Sequence, residues 1–239
     1  MEEFVNNFIW IDSIPLKYYG FNIGTRMTVI RLNDGNLFLH SPTKLTNKLK
    51  TELDKIGKVR FLIAPNKLHH MYINEYSYAY PDAEIFAAKD LLEKRKDLRF
   101  IGVLDNCPRK EWNESIDQVL FQGSIFTDEV IFFHKESQTL IVTDLLEQYD
   151  EMGYFQGFKE KIIAFLLGIY KTPGLPIDEK LFVMNKKVAR ESIERILMWD
   201  FNKIIMAHGP LIRNNAKDLF FNAFKWLLKN RSTAHKEYS

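Results

Sequence analysis

The sequence predicts an α/β fold in four layers, an αββα sandwich of two mixed β-sheets flanked by helices. Three observations carry this expectation. The order of patterns is strand–strand, helix, strand, helix, strand, then a strand meander, helices, strand and helix. That order suits two mixed sheets better than one doubly wound parallel sheet. No internal repeat, low-complexity tract or Pro/Gly/Ser-rich linker divides the 239 residues. Several apolar strand patterns end abruptly in polar residues, so their ends can converge on one edge of a sandwich. One domain over residues 1–230, followed by a polar tail over 231–239, is expected.

The elements follow in order. Phe8–Ile11 and Met27–Leu32 are strand patterns, and Asn33–Asp34–Gly35–Asn36 is a tight hairpin signal before Leu37–Leu39. A helix from about Thr46 to Ile56 carries Leu45, Leu49, Leu53 and Ile56 at helical spacing and stops at Gly57. Val59–Ala64 is a continuous apolar strand, as expected where both faces are covered. Leu68–Tyr80 has helical aromatic spacing through Tyr72, Tyr76 and Tyr80, with core packing preferred to a pocket-wall role. Ala83–Ala87, Val119–Phe121, Val130–Phe133 and Thr139–Val142 are further strands. Lys186–Met198 is helical, Ile204–Ala207 is a strand, and Asn215–Lys229 closes the chain as an amphipathic helix.

Composition excludes some functions. The net charge of +2 is too small to announce a nucleic-acid or anionic-membrane partner, and no basic stripe interleaved with aromatics appears. Lysines from Lys44 to Lys67 read as a solvated helix face rather than a phosphate-binding strip. Cys107 stands alone in an Asn–Cys–Pro turn, so neither an intrachain disulfide nor a thiolate zinc site is expected. With no basic n-region at the N-terminus, a cytoplasmic location is expected. The most apolar run, Ile162–Tyr170, is far shorter than the ~20 residues that span a bilayer. Lys159, Lys161 and Lys171 bracket it. A core helix is the preferred reading, with an oligomer contact or a membrane-surface helix as alternatives. The segment from Glu147 to Leu181, with Tyr154, Phe155, Phe158 and Phe165, is a lid, a pocket wall or a dimer contact.

The chemistry gathers at the strand ends. His208 closes the run Lys203–Ala207, with Gly209 leaving room for close backbone approach. Leu37–Leu39 ends in His40–Ser41–Pro42, Arg60–Ala64 in Pro65–Asn66 with His69–His70 just beyond, and Thr139–Val142 in Thr143–Asp144. A lone buried histidine is usually structural, but five such residues on successive strand exits favour a shared polar site. Imidazoles with one carboxylate suit zinc or non-haem iron, and three protein ligands leave a coordination position open. His134 opens the hairpin whose other end leads to Asp144, so it is expected away from the site. His235 lies in the polar tail. Arg26 could bind an anionic substrate, or more simply tie its loop down.

Taken together, these segments resemble metallo-β-lactamase-fold proteins, specifically a bacterial branch grouped as a domain of unknown function. The resemblance rests on Gly24–Leu32, Leu39–Pro42, Ala64–His70, Glu129–His134, Thr139–Asp144 and Ala207–Gly209, and spans about Phe8 to Leu228. The superfamily carries a His-x-His-x-Asp-His motif, a further middle His, a bridging Asp and a late His. By resemblance, Asn66 and Leu68 stand where the motif's first two histidines would be, His70 where its Asp would be and Met71 where its last His would be. The middle His falls near Ile125, while Asp144 and His208 match the bridging Asp and the late His. The first metal site is therefore expected to be lost. The resemblance implies either one zinc or iron ion held by His70, Asp144 and His208, or no metal. His40 is then a fourth ligand or a supporting partner, and His69 an alternative to His70. The activity implied is a mononuclear metal-dependent hydrolase acting on an ester, lactone, thioester or phosphoester, with Asp144 and His70 in the catalytic group. The alternatives are a catalytically silent binding or interaction module and a non-haem iron redox protein. A small-molecule partner is expected, nucleic acid and a membrane span are not, and a homo-oligomer is left open.

Overall fold

A computed structural model of the chain describes residues 1–126, 128–149 and 157–228. Tyr154, Phe155, His235 and the 231–239 tail lie outside the described residues. The chain runs β1 (Glu2–Val5), β2 (Ile9–Ile14), β3 (Lys17–Tyr18), β4 (Phe21–Asn22), β5 (Thr25–Arg31) and β6 (Asn36–His40). Next come α1 (Asn47–Ile56), β7 (Lys58–Ala64), α2 (Ile73–Ala79), β8 (Glu84–Ala87), α3 (Lys89–Lys94) and β9 (Phe100–Val103). The second half holds β10 (Ile116–Phe121), β11 (Glu129–His134), β12 (Thr139–Val142), α4 (Phe158–Leu166), α5 (Ile177–Leu181), α6 (Lys186–Leu197), β13 (Lys203–Met206) and α7 (Ala216–Leu228).

A seven-stranded sheet is ordered β1-β2-β5-β6-β7-β8-β9 and a four-stranded sheet β10-β11-β12-β13, with β3 and β4 pairing separately. Both large sheets are mixed. β6 to β9 run parallel, β1, β2, β5 and β6 antiparallel, and β13 adds in parallel to an antiparallel β10-β11-β12.

The period-two alternation of β7 sets the layers. Phe61 and Ile63 face the second sheet, where they meet Phe38, Phe86, Trp112, Phe132, Ile141 and Ile205. Trp112 sits edge-on to Phe38, Phe61 and Phe86 with ring centroids 5.3, 5.2 and 5.1 Å away. Leu62 and Ala64 face outward beneath Leu49 and Leu53 of α1 and Ile73 and Tyr76 of α2. On the other side, Ile193 and Ile196 of α6 and Phe220 and Phe224 of α7 cover the outer face of β10 to β13. The αββα sandwich is therefore the observed architecture.

Three local expectations change. The helix expected over Leu68–Tyr80 narrows to α2, because Leu68 and His69 donate their backbone N–H groups to the Asn66 side chain and form a turn. Tyr76 packs in the core, whereas Tyr78 is exposed. The run Ile162–Tyr170, placed in a core helix, is helical only as far as Leu166 at the end of α4, which buries only Ala164 and turns most of its apolar side chains outward, while Ile169 beyond the helix is buried. β1 and β9, four-residue strands at the edges of the seven-stranded sheet, were not expected: β1 opens on two glutamates, and β9 is short and interrupted by Gly102.

Candidate metal centre

Four chain segments leaving the two sheets build one site. β7 ends at Ala64 and leads through Asn66 to His69, β12 ends at Val142 and leads to Asp144, and β13 ends at Met206 and leads to His208. Gly209 has φ +145, and a Cβ there would lie 2.5 Å from Met206 Sδ and 2.8 Å from the Gln148 carbonyl. Only glycine lets the chain turn away immediately after His208. From β6, Ser41 contributes a hydroxyl at φ +53, an uncommon backbone conformation for a residue with a Cβ.

His69 Nε2, Asp144 Oδ1 and His208 Nε2 form a nearly equilateral triangle. Its edges are 3.1 Å (His69–Asp144), 3.3 Å (His208–Asp144) and 3.2 Å (His69–His208). Each imidazole is oriented through its other nitrogen. His208 Nδ1 donates to the Gly24 carbonyl at 2.8 Å, so in the neutral ring Nε2 carries the lone pair. His69 Nδ1 meets Ser41 Oγ at 2.7 Å. The Asp144 side chain accepts at its other oxygen from the Asn66 amide, 2.7 Å away.

Asn66 and Glu129 hold this constellation in place. The buried Asn66 accepts from the backbone of Leu68 (2.8 Å) and His69 (2.9 Å) while its amide nitrogen reaches Asp144 and Thr143 Oγ1 (3.0 Å). One side chain thus fixes both the loop that carries His69 and the carboxylate opposite it. Glu129, also buried, accepts the backbone N–H groups of Thr143 (2.6 Å), Asp144 (2.8 Å) and Leu145 (2.9 Å). The two carboxyls are driven apart. Burial and the charge of Asp144 push Glu129 up to about 7. For Asp144, burial favours the neutral acid, but His69 and His208 outweigh it and hold the group well below the usual carboxylate range.

His70 points elsewhere. Its Nδ1 accepts from the Arg95 guanidinium at 2.9 Å, and burial together with Lys94 and Arg95 lowers its pKa to about 4. The physical reason is the Asn66-capped turn, which sends His69 toward Asp144 and His70 toward the end of α3. In place of the expected trio His70, Asp144 and His208, the structure gathers His69, Asp144 and His208. His40 is buried against the Phe132 ring, 5.4 Å between centroids, and its Nε2 has no hydrogen-bond partner among the described residues. It is not one of the three converging ligand residues. His134 bonds Ser137 Oγ at 2.8 Å, at the hairpin end of β11. Arg26 ties the two sheets together, reaching Ser13 Oγ at 2.9 Å and the Met206 carbonyl.

The triangle opens into a pocket of about 580 Å³ walled by Tyr18, Tyr72, Phe126 and Phe182. Glu147, Asp178 and Glu179 add acidic groups to its lining. Burial, then Asp144 and Glu129, push Glu179 up to about 9, and burial, then Asp144, Glu179 and Asp178, raises Glu147. Sequence reasoning did not single out Ser41, Glu129, Glu147 or Glu179, and it treated Asn66 only as a lost ligand. A charged residue flush against the apolar run Val130–Phe133 was the available signal for Glu129.

The donor set fits a cation. Two imidazole nitrogens and a carboxylate oxygen aimed at one point are a ligand set that zinc or iron takes, and with His69 protonated on Nδ1 all three present lone pairs to that point. Bonds of about 2.0–2.1 Å to a four-coordinate ion place neighbouring ligand atoms about 3.3–3.4 Å apart. The observed edges approach that spacing.

Comparison with known proteins agrees with this architecture. Residues 8–152 match a family described as a domain of unknown function (DUF4336). No curated protein matches the sequence. Among solved structures, a metallo-β-lactamase from Pontibacter korlensis superposes with a TM-score of 0.64 at 11% identity, covering 95% of this chain and 97% of its own. One from Erythrobacter litoralis gives 0.62 at 12% identity, over 94% and 95% of the two chains. The metallo-β-lactamase FIM-1 from Pseudomonas aeruginosa in its mono-zinc form gives 0.59 at 10% identity, over 94% and 93%. At such identities the likeness establishes the metallo-β-lactamase fold.

Proposed function

The chain belongs to the DUF4336 family, and we propose that it is a mononuclear metal-dependent hydrolase whose ion is held by His69, Asp144 and His208. The observation that carries this reading is the triangle of ligand atoms with edges of 3.1 to 3.3 Å at the base of an aromatic-walled pocket. A zinc ion in such a site supplies a Lewis acid and brings the pKa of water down to about 7.

The chain's own groups supply the rest. Asp144, held ionised by its two imidazoles, is ready to act as a ligand without first losing a proton. Ser41 and Gly24 fix the rings of His69 and His208 through Nδ1. The tyrosine and phenylalanine walls exclude water around a modest organic substrate. Glu179, which lines the pocket and is pushed up first by burial, is the candidate proton donor to a leaving group. The substrate class is an ester, lactone, thioester or phosphoester.

The test is hydrolysis of those four bond types by the purified chain. Turnover of at least one, lost on chelation, regained with Zn²⁺ and reduced by about a hundredfold or more in His208→Ala, is expected. If metal-loaded protein hydrolyses none of them, the pocket is a binding site without catalysis. Two imidazoles and one carboxylate are also the ligand set of non-haem iron oxygenases. Iron in place of zinc, with oxygen-dependent turnover, would favour that second reading.

A further inference from the structure

The pocket over the metal triangle has an acidic side that the hydrolytic chemistry leaves unused. Glu147, half-buried after β12, and Asp178, exposed in the first turn of α5, both line it. Neither side chain takes a hydrogen bond or an ion pair from another described residue. Burial, then the charges of Asp144, Glu179 and Asp178, raises Glu147, so these carboxyls feel one another across shared space. Glu179 stands deeper, where it lines a small cavity together with Asp144 and Glu129. Lys94 is the one lysine or arginine among the described lining residues, and its ammonium is held by the Lys67 carbonyl at 3.1 Å. Two aromatic pairs complete the walls. Tyr18 and Tyr19 meet edge to face with ring centroids 4.6 Å apart, and Phe126 and Phe182 stack at 5.6 Å. Tyr18 is about half exposed and feels the charges of Asp144 and Glu179, which sets it on the acidic side.

We infer that the substrate of this pocket carries an alkylated ammonium group, which Glu147 and Asp178 balance in charge and the aromatic walls surround. The inference rests on the reading of this pocket as the substrate site and narrows its substrate to a cationic one. Carboxylates without counter-ions in a partly dehydrated pocket favour a positive partner, and aromatic faces attract a cation through their quadrupole. That cation is organic rather than a second metal ion. A tightly held metal takes three or more converging protein donors. Among the described residues only His69, Asp144 and His208 bring three such ligand atoms within 4.8 Å of one another. An ammonium carrying methyl or methylene groups is wider, reaches carboxylates that stand apart, and offers C–H surface to the rings. Glu179, next to Asp144 and Glu129, is then left for the leaving group. An anionic substrate fits less well, because it would meet Glu147, Asp178 and Glu179.

The assay is ligand-detected NMR of the full chain in mildly alkaline buffer with three probes of one shape. They are choline, the neutral neohexyl alcohol in which carbon replaces the nitrogen, and the anion tert-butylacetate. Choline is expected to bind at least about tenfold more tightly than either of the others. Glu147→Gln/Asp178→Asn removes the charge and keeps the shape, and is expected to cut that preference to about twofold or less. Tyr18→Leu is expected to weaken choline about threefold or more while leaving neohexyl alcohol within about twofold. A cooperative thermal transition shows that each variant is folded, and Tyr18→Leu decides alone if the double variant is not. The preference is expected both with Zn²⁺ bound and after chelation, which separates it from turnover. Choline preference without hydrolysis of any ester supports the cation site and sinks the hydrolase reading alone. Equal turnover of choline and neohexyl esters overturns the cation site and leaves the hydrolase reading standing. The inference is also overturned if either of the other probes binds as tightly as choline, or if a folded variant keeps the full preference.

Discussion

Asn66 stands where the superfamily motif would place its first histidine, and it has become the residue that orients the others. Its carbonyl oxygen caps the turn carrying His69 and its amide fixes Asp144. Replacing it with alanine leaves two N–H groups without their acceptor and Asp144 without its donor. A loss of about 1–3 kcal/mol in denaturant unfolding is expected. Zinc affinity measured by chelator competition should fall about 10–100-fold. Unchanged affinity would mean that the turn is set by something else. At this scale the sequence was legible for residue types and chain positions, since Asp144, His208 and the His69–His70 pair all emerged from strand ends. It was not legible for the choice between two adjacent histidines. That choice depends on which ring the Asn66 turn sends inward and on Arg95, distant in sequence, waiting for the other. Ser41 at φ +53 was equally hidden, because nothing in a His–Ser–Pro string announces a left-handed backbone.

Among the elements, those with both a period and a boundary signal were readable. The α1 helix shows a leucine period between Thr46, whose hydroxyl accepts from the Leu49 N–H at 3.1 Å, and Gly57. β7, β11 and β12 are apolar runs closed by polar residues, and they appear where expected. Short edge strands such as β1 and β9 stand partly in solvent, and four residues are too few for a period to mark them. α4 misled for the opposite reason. Hydrophobicity alone marks a helix that faces something apolar without saying whether that is the protein core or another surface, and here only Ala164 turned inward. The Glu147–Leu181 segment was left between lid, wall and dimer contact. Glu147, Asp178 and Glu179 place parts of it in the pocket wall.

For the whole molecule, the αββα sandwich was legible because both large sheets are covered on both faces and central strands such as β7 alternate between two apolar layers. The buried titratable groups make the molecule's stability depend on pH, with opposing signs. His134, lowered to about 4 by burial, stays neutral in the fold where the unfolded chain would take up a proton. Its folded pKa lies below the unfolded value near 6.5, so its contribution is complete above about pH 6.5 and is lost as the pH falls toward 4. Glu129 and Glu179, raised to about 7 and 9, act in the reverse direction, favouring the fold at low pH and losing that contribution as the pH rises. A comparison at each pH isolates the histidine. Relative to His134→Asn, the wild type is expected to lose up to about 1.4 kcal/mol per pH unit between pH 6.5 and 4, and nothing above pH 7. A difference that is flat over that window would show that His134 takes up its proton in the folded protein. The central claim is that His69, and not its neighbour His70, completes a one-ion site with Asp144 and His208. Elemental analysis of purified wild type, His69→Ala and His70→Ala, each reconstituted with Zn²⁺, tests it most directly. One zinc per chain is expected in the wild type and in His70→Ala, and none in His69→Ala. Zinc retained by His69→Ala and lost by His70→Ala would contradict it, as would a wild type that binds none.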